Sequence, residues 1–213
     1  MTDISVNEDK SPRLTIASEL PTNGGLAAAM EYKHGMLVCG GCGGPDCNVD
    51  SATNACHFLG PGSTPHPMPS MLKTRDYAAG ALCRGRPFIV DGRTAGPTTE
   101  YLDADGQWHY GPPLDHSLSK HCMVTLDDDE TQHLVAGGFS GEFQDRTFVN
   151  DWNQPELGWL DFGRLSVARA GLACTKIELV DGSRHVLVAR GADVAMASGG
   201  GAVDIFDITT RTW

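Results

Sequence analysis

The sequence predicts an all-β fold of repeated units, and three observations predict it. A block of roughly fifty residues recurs four times along the chain. The apolar runs in it are short and are bounded by Gly, Asp, Asn and Pro, the punctuation of strands and tight turns. No long segment carries apolar residues at helical spacing.

Each block closes an apolar run with a glycine doublet or its remnant. The four copies are Leu37-Val38-Cys39-Gly40-Gly41, Phe88-Ile89-Val90-Asp91-Gly92, Leu134-Val135-Ala136-Gly137-Gly138 and Val186-Leu187-Val188-Ala189-Arg190-Gly191. The first members of the doublets stand 51, 46 and 53 residues apart. A missing Cβ at a strand end lets the backbone take positive φ and lets neighbouring units approach closely. Gly is abundant, at 26 of 213 residues, which suits a molecule full of such turns.

A second landmark follows each doublet. Tyr101-Leu102-Asp103 precedes Trp108, and Ile205-Phe206-Asp207 precedes Trp213. The third block keeps Phe148-Val149-Asn150-Asp151 and Trp159 but lengthens the turn, while the first has Cys56-His57-Phe58-Leu59 and only His66 where the Trp belongs. The indole rings are expected at the contacts between units, where a large ring buries most area. A third landmark opens each block: Glu19-Leu20-Pro21, Met68-Pro69, Pro112-Pro113-Leu114 and Phe162-Gly163-Arg164-Leu165. Arg75 and Arg169 each stand four residues past a Met or Leu, and the first and third blocks lack that arginine.

These landmarks together resemble the kelch repeat, with its strand ending in Gly-Gly, its Tyr-Asp strand and its Trp, over nearly the whole chain from Leu14 to Trp213. The resemblance implies a β-propeller of about four four-stranded antiparallel blades. The blocks fall at about 20–67, 68–111, 112–160 and 161–213, within one domain of residues 13–213. Gly40, Gly41, Gly92, Gly137, Gly138, Gly191, Tyr101, Trp108, Trp159 and Trp213 are its structural positions. Kelch propellers usually have five to seven blades, so an incomplete propeller, part of a longer chain, is an open alternative. Arg13 to Ala17 stands where a strand would complete the last blade; the other alternative is an open arc that forms a homodimer.

Residues 1–12 are polar and read as a disordered tail. No apolar stretch has the length of a membrane span or the form of a signal peptide, so a cytoplasmic protein is expected. The formal charge of −11 argues against nucleic acid and anionic membranes and favours a basic protein or peptide partner. An odd number of cysteines without a secretion signal favours reduced thiols. Cys83, Cys122 and Cys174 read as core positions, the last two at equivalent points of neighbouring blocks. Cys39, Cys42, Cys47 and Cys56 lie within eighteen residues. A zinc site would draw on Cys42, Cys47 and Cys56, but the second knuckle is missing. A loop disulfide or redox pair is the other special reading, and neither a metal nor a cofactor is expected. The acidic run Asp127-Asp128-Asp129-Glu130 reads as a solvated turn.

The resemblance also implies function. Kelch loops bind partner proteins, some as ubiquitin-ligase adaptors, a role that needs domains for which the residues before the first block leave no room. The expectation is a protein-interaction scaffold without catalysis. Arg75 and Arg169 are placed at the mouth of the axial funnel with Asp76 and Lys120, or, as the structural reading of each arginine, as blade-to-blade hydrogen-bond donors. The alternative class is a small-molecule enzyme of epimerase or specifier type using those residues, or, with thinner support, a copper oxidase.

Overall fold

The computed structural model describes residues 26–43, 47–193 and 202–213. The expected tail and closing strand, 1–17, lie outside the described residues. Fifteen strands are present: β1 (Ala28–Tyr32), β2 (Gly35–Cys39), β3 (Cys56–Leu59), β4 (His66–Met68), β5 (Ala79–Cys83), β6 (Arg86–Val90), β7 (Thr99–Leu102), β8 (Trp108–Tyr110), β9 (Cys122–Thr125), β10 (Gln132–Phe139), β11 (Phe143–Asp151), β12 (Trp159–Arg164), β13 (Ala173–Glu178), β14 (Arg184–Ala189) and β15 (Val203–Asp207).

They form four antiparallel meanders, β1–β4, β5–β8, β9–β12 and the three-stranded β13–β15. Helical structure among the described residues is limited to two three-residue 3₁₀ turns. The sheets stand as the blades of a four-blade β-propeller, and the first strand of each meander lies innermost, β1 against β5, β5 against β9 and β9 against β13. The sheets follow the sequence blocks, except that β4 ends one residue past 67 and β12 runs past residue 160.

The doublets explain how successive blades are locked. Both members lie at positive φ in every blade: 72° and 92° at Gly40 and Gly41, 47° and 120° at Asp91 and Gly92, 59° and 113° at Gly137 and Gly138, 60° and 100° at Arg190 and Gly191. The first position lies in the left-handed helical region, which Asp and Arg can occupy; the second is glycine in all four copies. A Cβ on Gly92, Gly138 or Gly191 would sit 2.8 Å from the carbonyl oxygen of Asp76, Ser119 or Ala170 respectively, the same approach repeated three times. The second glycine also donates across to the next blade, Gly41 N to Arg75 O at 2.7 Å, Gly92 N to Leu118 O at 3.1 Å and Gly138 N to Arg169 O at 2.8 Å.

A second chain of bonds circles the axis. Leu26, Tyr77, Lys120 and Gly171 precede the four inner strands, each at positive φ of 63°, 55°, 56° and 69°. Tyr77 N donates to Leu26 O, Lys120 N to Tyr77 O and Gly171 N to Lys120 O at 2.9, 3.0 and 2.7 Å, so each blade hangs its first strand on the one before.

Apolar cores fill the gaps between successive blades. Leu37, Cys39, Ile89, Leu102 and Trp108 pack between the first and second blades. Phe88, Val90, Val135 and Phe148 fill the second gap, and Leu134, Val149, Val188 and Phe206 the third. Trp108 and Trp159 anchor to the opening turns of their own blades, donating Nε1–H to Pro69 O at 2.8 Å and Pro112 O at 2.9 Å. Trp213 packs on Phe206 with ring centroids 5.2 Å apart.

The cysteines depart from the expectation of reduced thiols. Cys39–Cys56, Cys42–Cys47 and Cys122–Cys174 are disulfides, and only Cys83 is free, buried, with burial pushing its thiol up to about 12. Cys39 and Cys56 are directly opposed on β2 and β3. Cys122 is the first residue of inner strand β9 and Cys174 the second of inner strand β13, so their bond staples the third blade to the fourth.

Candidate functional site

The propeller has two ends. At the doublet end lie the residues that the sequence singled out, and most are inside. Arg75 and Arg169 have no exposed surface, so neither lines a funnel mouth. Arg75 bonds Glu100 of β7 at 2.7 Å, Asp91 O at 2.7 Å and Thr98 O at 2.8 Å. Arg169 bonds Asp204 of β15 at 2.5 Å and Val188 O at 3.2 Å. Each guanidinium ties the turn entering a blade to that blade's own third strand, while its backbone carbonyl receives the preceding blade's doublet. The acids repeat the design: Glu100 accepts Leu72 N at 2.6 Å, and Asp204 accepts Ser166 N at 2.9 Å, at the matching place three residues before each arginine. In the third blade Leu118 and Phe148 take the corresponding places, and an apolar contact replaces the ion pair.

Asp76 is fully buried and pairs with Arg93, whose guanidinium also bonds Cys47 O at 2.7 Å. Lys120 is half-buried, its ammonium 4.7 Å from the Tyr77 ring centre. A cavity of about 550 Å³ lies beside them, lined by Arg93, His116, Phe139, Gln144 and Arg146 among others. Its arginines are already paired, Arg146 with Asp115 and Asp161 at 3.2 and 3.1 Å and Arg93 with Asp76, and His116 contacts Asp115. Against the opposing effect of burial, hydrogen bonds from His116 and Arg146 hold Asp115 below the usual carboxylate range. Two further buried groups are shifted: burial raises Asp91 to about 8 and lowers His121 to about 4.

Among the thiols named for zinc, Cys56 is bonded to Cys39, away from the others. Cys42 and Cys47 lie with Asp76 but are bonded to each other. The other cluster of ligand-type groups among the described residues, Asp103, Asp105 and His109, is a turn in which Asp103 and Asp105 cap Ala104 N and Gln107 N at 2.8 and 2.9 Å.

The hairpin end is different. A depression of about 940 Å³ opens there on the axis and is lined from all four inner strands: Met30 to Tyr32 of β1, Ala81 and Leu82 of β5, Met123 to Thr125 of β9, and Thr175 and Lys176 of β13. Four carboxylates, Glu31, Asp127, Asp128 and Glu130, border it against two lysines, Lys33 and Lys176. Three of them come from the run that read as a solvated turn. Against the opposing effect of burial, bonds from Thr131 and Gln132 hold Asp127 below the usual range; Asp128 is lowered by Lys176 and Arg184, at 3.2 and 2.9 Å. Glu130 accepts Gly85 N at 2.6 Å, docking the β5–β6 hairpin beside it. Asp127 and Asp128 are therefore charged at neutral pH; Asp128 is shared between Lys176 and Arg184, Glu31 is exposed, and the carboxylates of the rim outnumber its cations by a small excess that suits a cationic ligand.

No protein-family model matches the chain, and no curated protein matches it in sequence. The likeness to kelch repeats rests on the landmarks and on the four blades they build. Among the described residues no helix is long and apolar enough to cross a membrane.

Proposed function

We propose that the chain is a kelch-type protein-recognition module that takes a basic segment of a partner protein into the acidic depression at the hairpin end of its axis. The observation that carries this reading is the convergence of Glu31, Asp127, Asp128 and Glu130 on a depression bordered by every blade. The net charge of −11 adds long-range attraction for such a partner. The buried arginine clamps serve the fold, and the reading includes no catalysis. An epimerase-type funnel on Arg75, Arg169 and Asp76 finds no support, because those side chains do not meet solvent.

The test is titration with a lysine-rich peptide and with a glutamate-rich peptide of equal length at low and high salt. The lysine-rich peptide binds, weakens as salt rises, and loses about 2- to 5-fold for each charge removed in Glu31→Gln and Asp128→Asn. Equal binding of both peptides, or no effect of either substitution, contradicts the reading.

We also propose an oxidising compartment in place of the cytoplasmic one expected from the sequence. Three disulfides among the described residues support it, because such bonds are rare where thiols are kept reduced.

A further inference from the structure

The four blades have three apolar cores between them among the described residues, and the side of the circle between the fourth blade and the first has none. Strand alternation gives every blade one side toward the next blade and one toward the previous. On the forward side, Leu37, Phe88 and Leu134 hold matching places and are each 0% exposed, whereas the fourth copy, Leu187, is half-buried. On the backward side Ile89, Val135 and Val188 are each 0% exposed, whereas the matching Val38 is half-buried. The difference is larger one strand further out. Val149 is 5% exposed, but its counterpart Ile205 is 53% exposed, with Val203 beside it at 52%. Met36, on the backward side of the first blade, is 48% exposed.

These surfaces are apolar along most of their length. Along β14 and β15 the forward side of the fourth blade presents Leu187, Ala189, Val203 and Ile205, with the polar His185 and Asp207 only at its hairpin end; the backward side of the first presents Met36, Val38 and Leu59 beside His57 and Glu31. A sheet face that meets water ordinarily alternates to polar residues there. The surfaces are also two different halves of one interface, the halves that share a core in the third gap, with Leu134 and Val149 from the third blade and Val188 from the fourth.

We infer that a second copy of this chain covers them, the forward side of the fourth blade packing on the backward side of the first blade of its partner. The occupant must be blade-like, because the three filled gaps show what these positions receive. The chain itself carries both halves, and two copies related by a two-fold axis satisfy both pairs at once. In that dimer Ile205 of one copy shares a core with Val38 of the other, as Val149 does with Val188 within one chain.

The experiment is light scattering on the full chain, with Ile205→Glu and Val203→Glu as separate variants. The wild-type chain has twice the 22.7 kDa chain mass, and each variant, changed at an exposed site, falls to a monomer with its melting temperature retained. A Val38→Cys chain and an Ile205→Cys chain, mixed under oxidation, form a disulfide-linked heterodimer. A monomeric wild type overturns the inference, as does a Val38→Cys/Ile205→Cys chain that links within itself and runs as a monomer. A dimer unaffected by either glutamate also overturns it.

Discussion

The guanidinium of Arg75 and the carboxylate of Glu100 meet at 2.7 Å with neither side chain exposed, and Leu118 and Phe148 fill the equivalent places one blade later. One chain thus solves the same packing problem twice, once with charge and once without. Removing one partner of a buried pair leaves an uncompensated charge, so Arg75→Ala costs about 3–5 kcal/mol. The double variant Arg75→Leu/Glu100→Phe, copying the third blade, is more stable than either single change. Denaturant unfolding of the four proteins measures the coupling; a double variant no better than the singles contradicts it.

Asp91 and His121 give stability opposite pH dependences. The folded Asp91 carboxyl, at about 8, keeps its proton where an unfolded one, near 3.8, has lost it. The folded state therefore binds the extra proton, and stability falls as pH rises from about 4 to about 8. His121, lowered from 6.5 to about 4, is neutral when folded, so stability falls as pH drops through that window. Asp91→Asn keeps a residue suited to left-handed backbone and removes the first effect. Its melting temperature exceeds that of the wild type at pH 8–9, by about 2–4 °C per kcal/mol relieved, and matches it near pH 3. Parallel pH profiles for the two proteins would rule this out.

The doublet positions differ in tolerance. Arg190→Gly changes stability little, whereas Gly191→Ala places a Cβ 2.8 Å from Ala170 O at φ 100° and costs about 1–3 kcal/mol. Thermal unfolding of the pair checks this, and equal effects contradict it.

The Cys122–Cys174 bond closes a loop of 52 residues in sequence, so Cys122→Ala/Cys174→Ala costs about 2–4 kcal/mol. Peptide mapping without reductant finds the 122–174 linkage in protein purified under oxidising conditions. A fully reduced map, or a variant as stable as the wild type, argues against the staple.

The fold was legible because doublets, Trp positions and opening turns are demands of the backbone, and those recur wherever the chain makes the same turn. Arg75 and Arg169 were legible as a pattern, but their burial depended on Glu100 and Asp204, 25 and 35 residues downstream. Comparing blocks at matching positions would have paired them and exposed the Leu118–Phe148 substitute. The Cys122–Cys174 bond was hidden by a one-residue offset: Cys122 pairs with Ala136 and Ala173 with Ala189, each just before its doublet, so Cys122 matches Ala173. Cys174 therefore faces back toward the third blade while Cys122 faces forward, and only the strand register shows the two to be opposed. The acidic depression had none, because Glu31 and the Asp127–Glu130 run come from different blocks and meet only on the axis.

The most direct test of the recognition site compares peptide affinity and melting temperature for Glu31→Gln/Asp128→Asn and for Arg75→Ala. In the first variant, affinity for the lysine-rich peptide falls about tenfold, or about 1.4 kcal/mol, while melting is unchanged. In the second, melting collapses by several degrees. If the acidic variant binds as tightly as the wild type, the recognition site is not the axial depression.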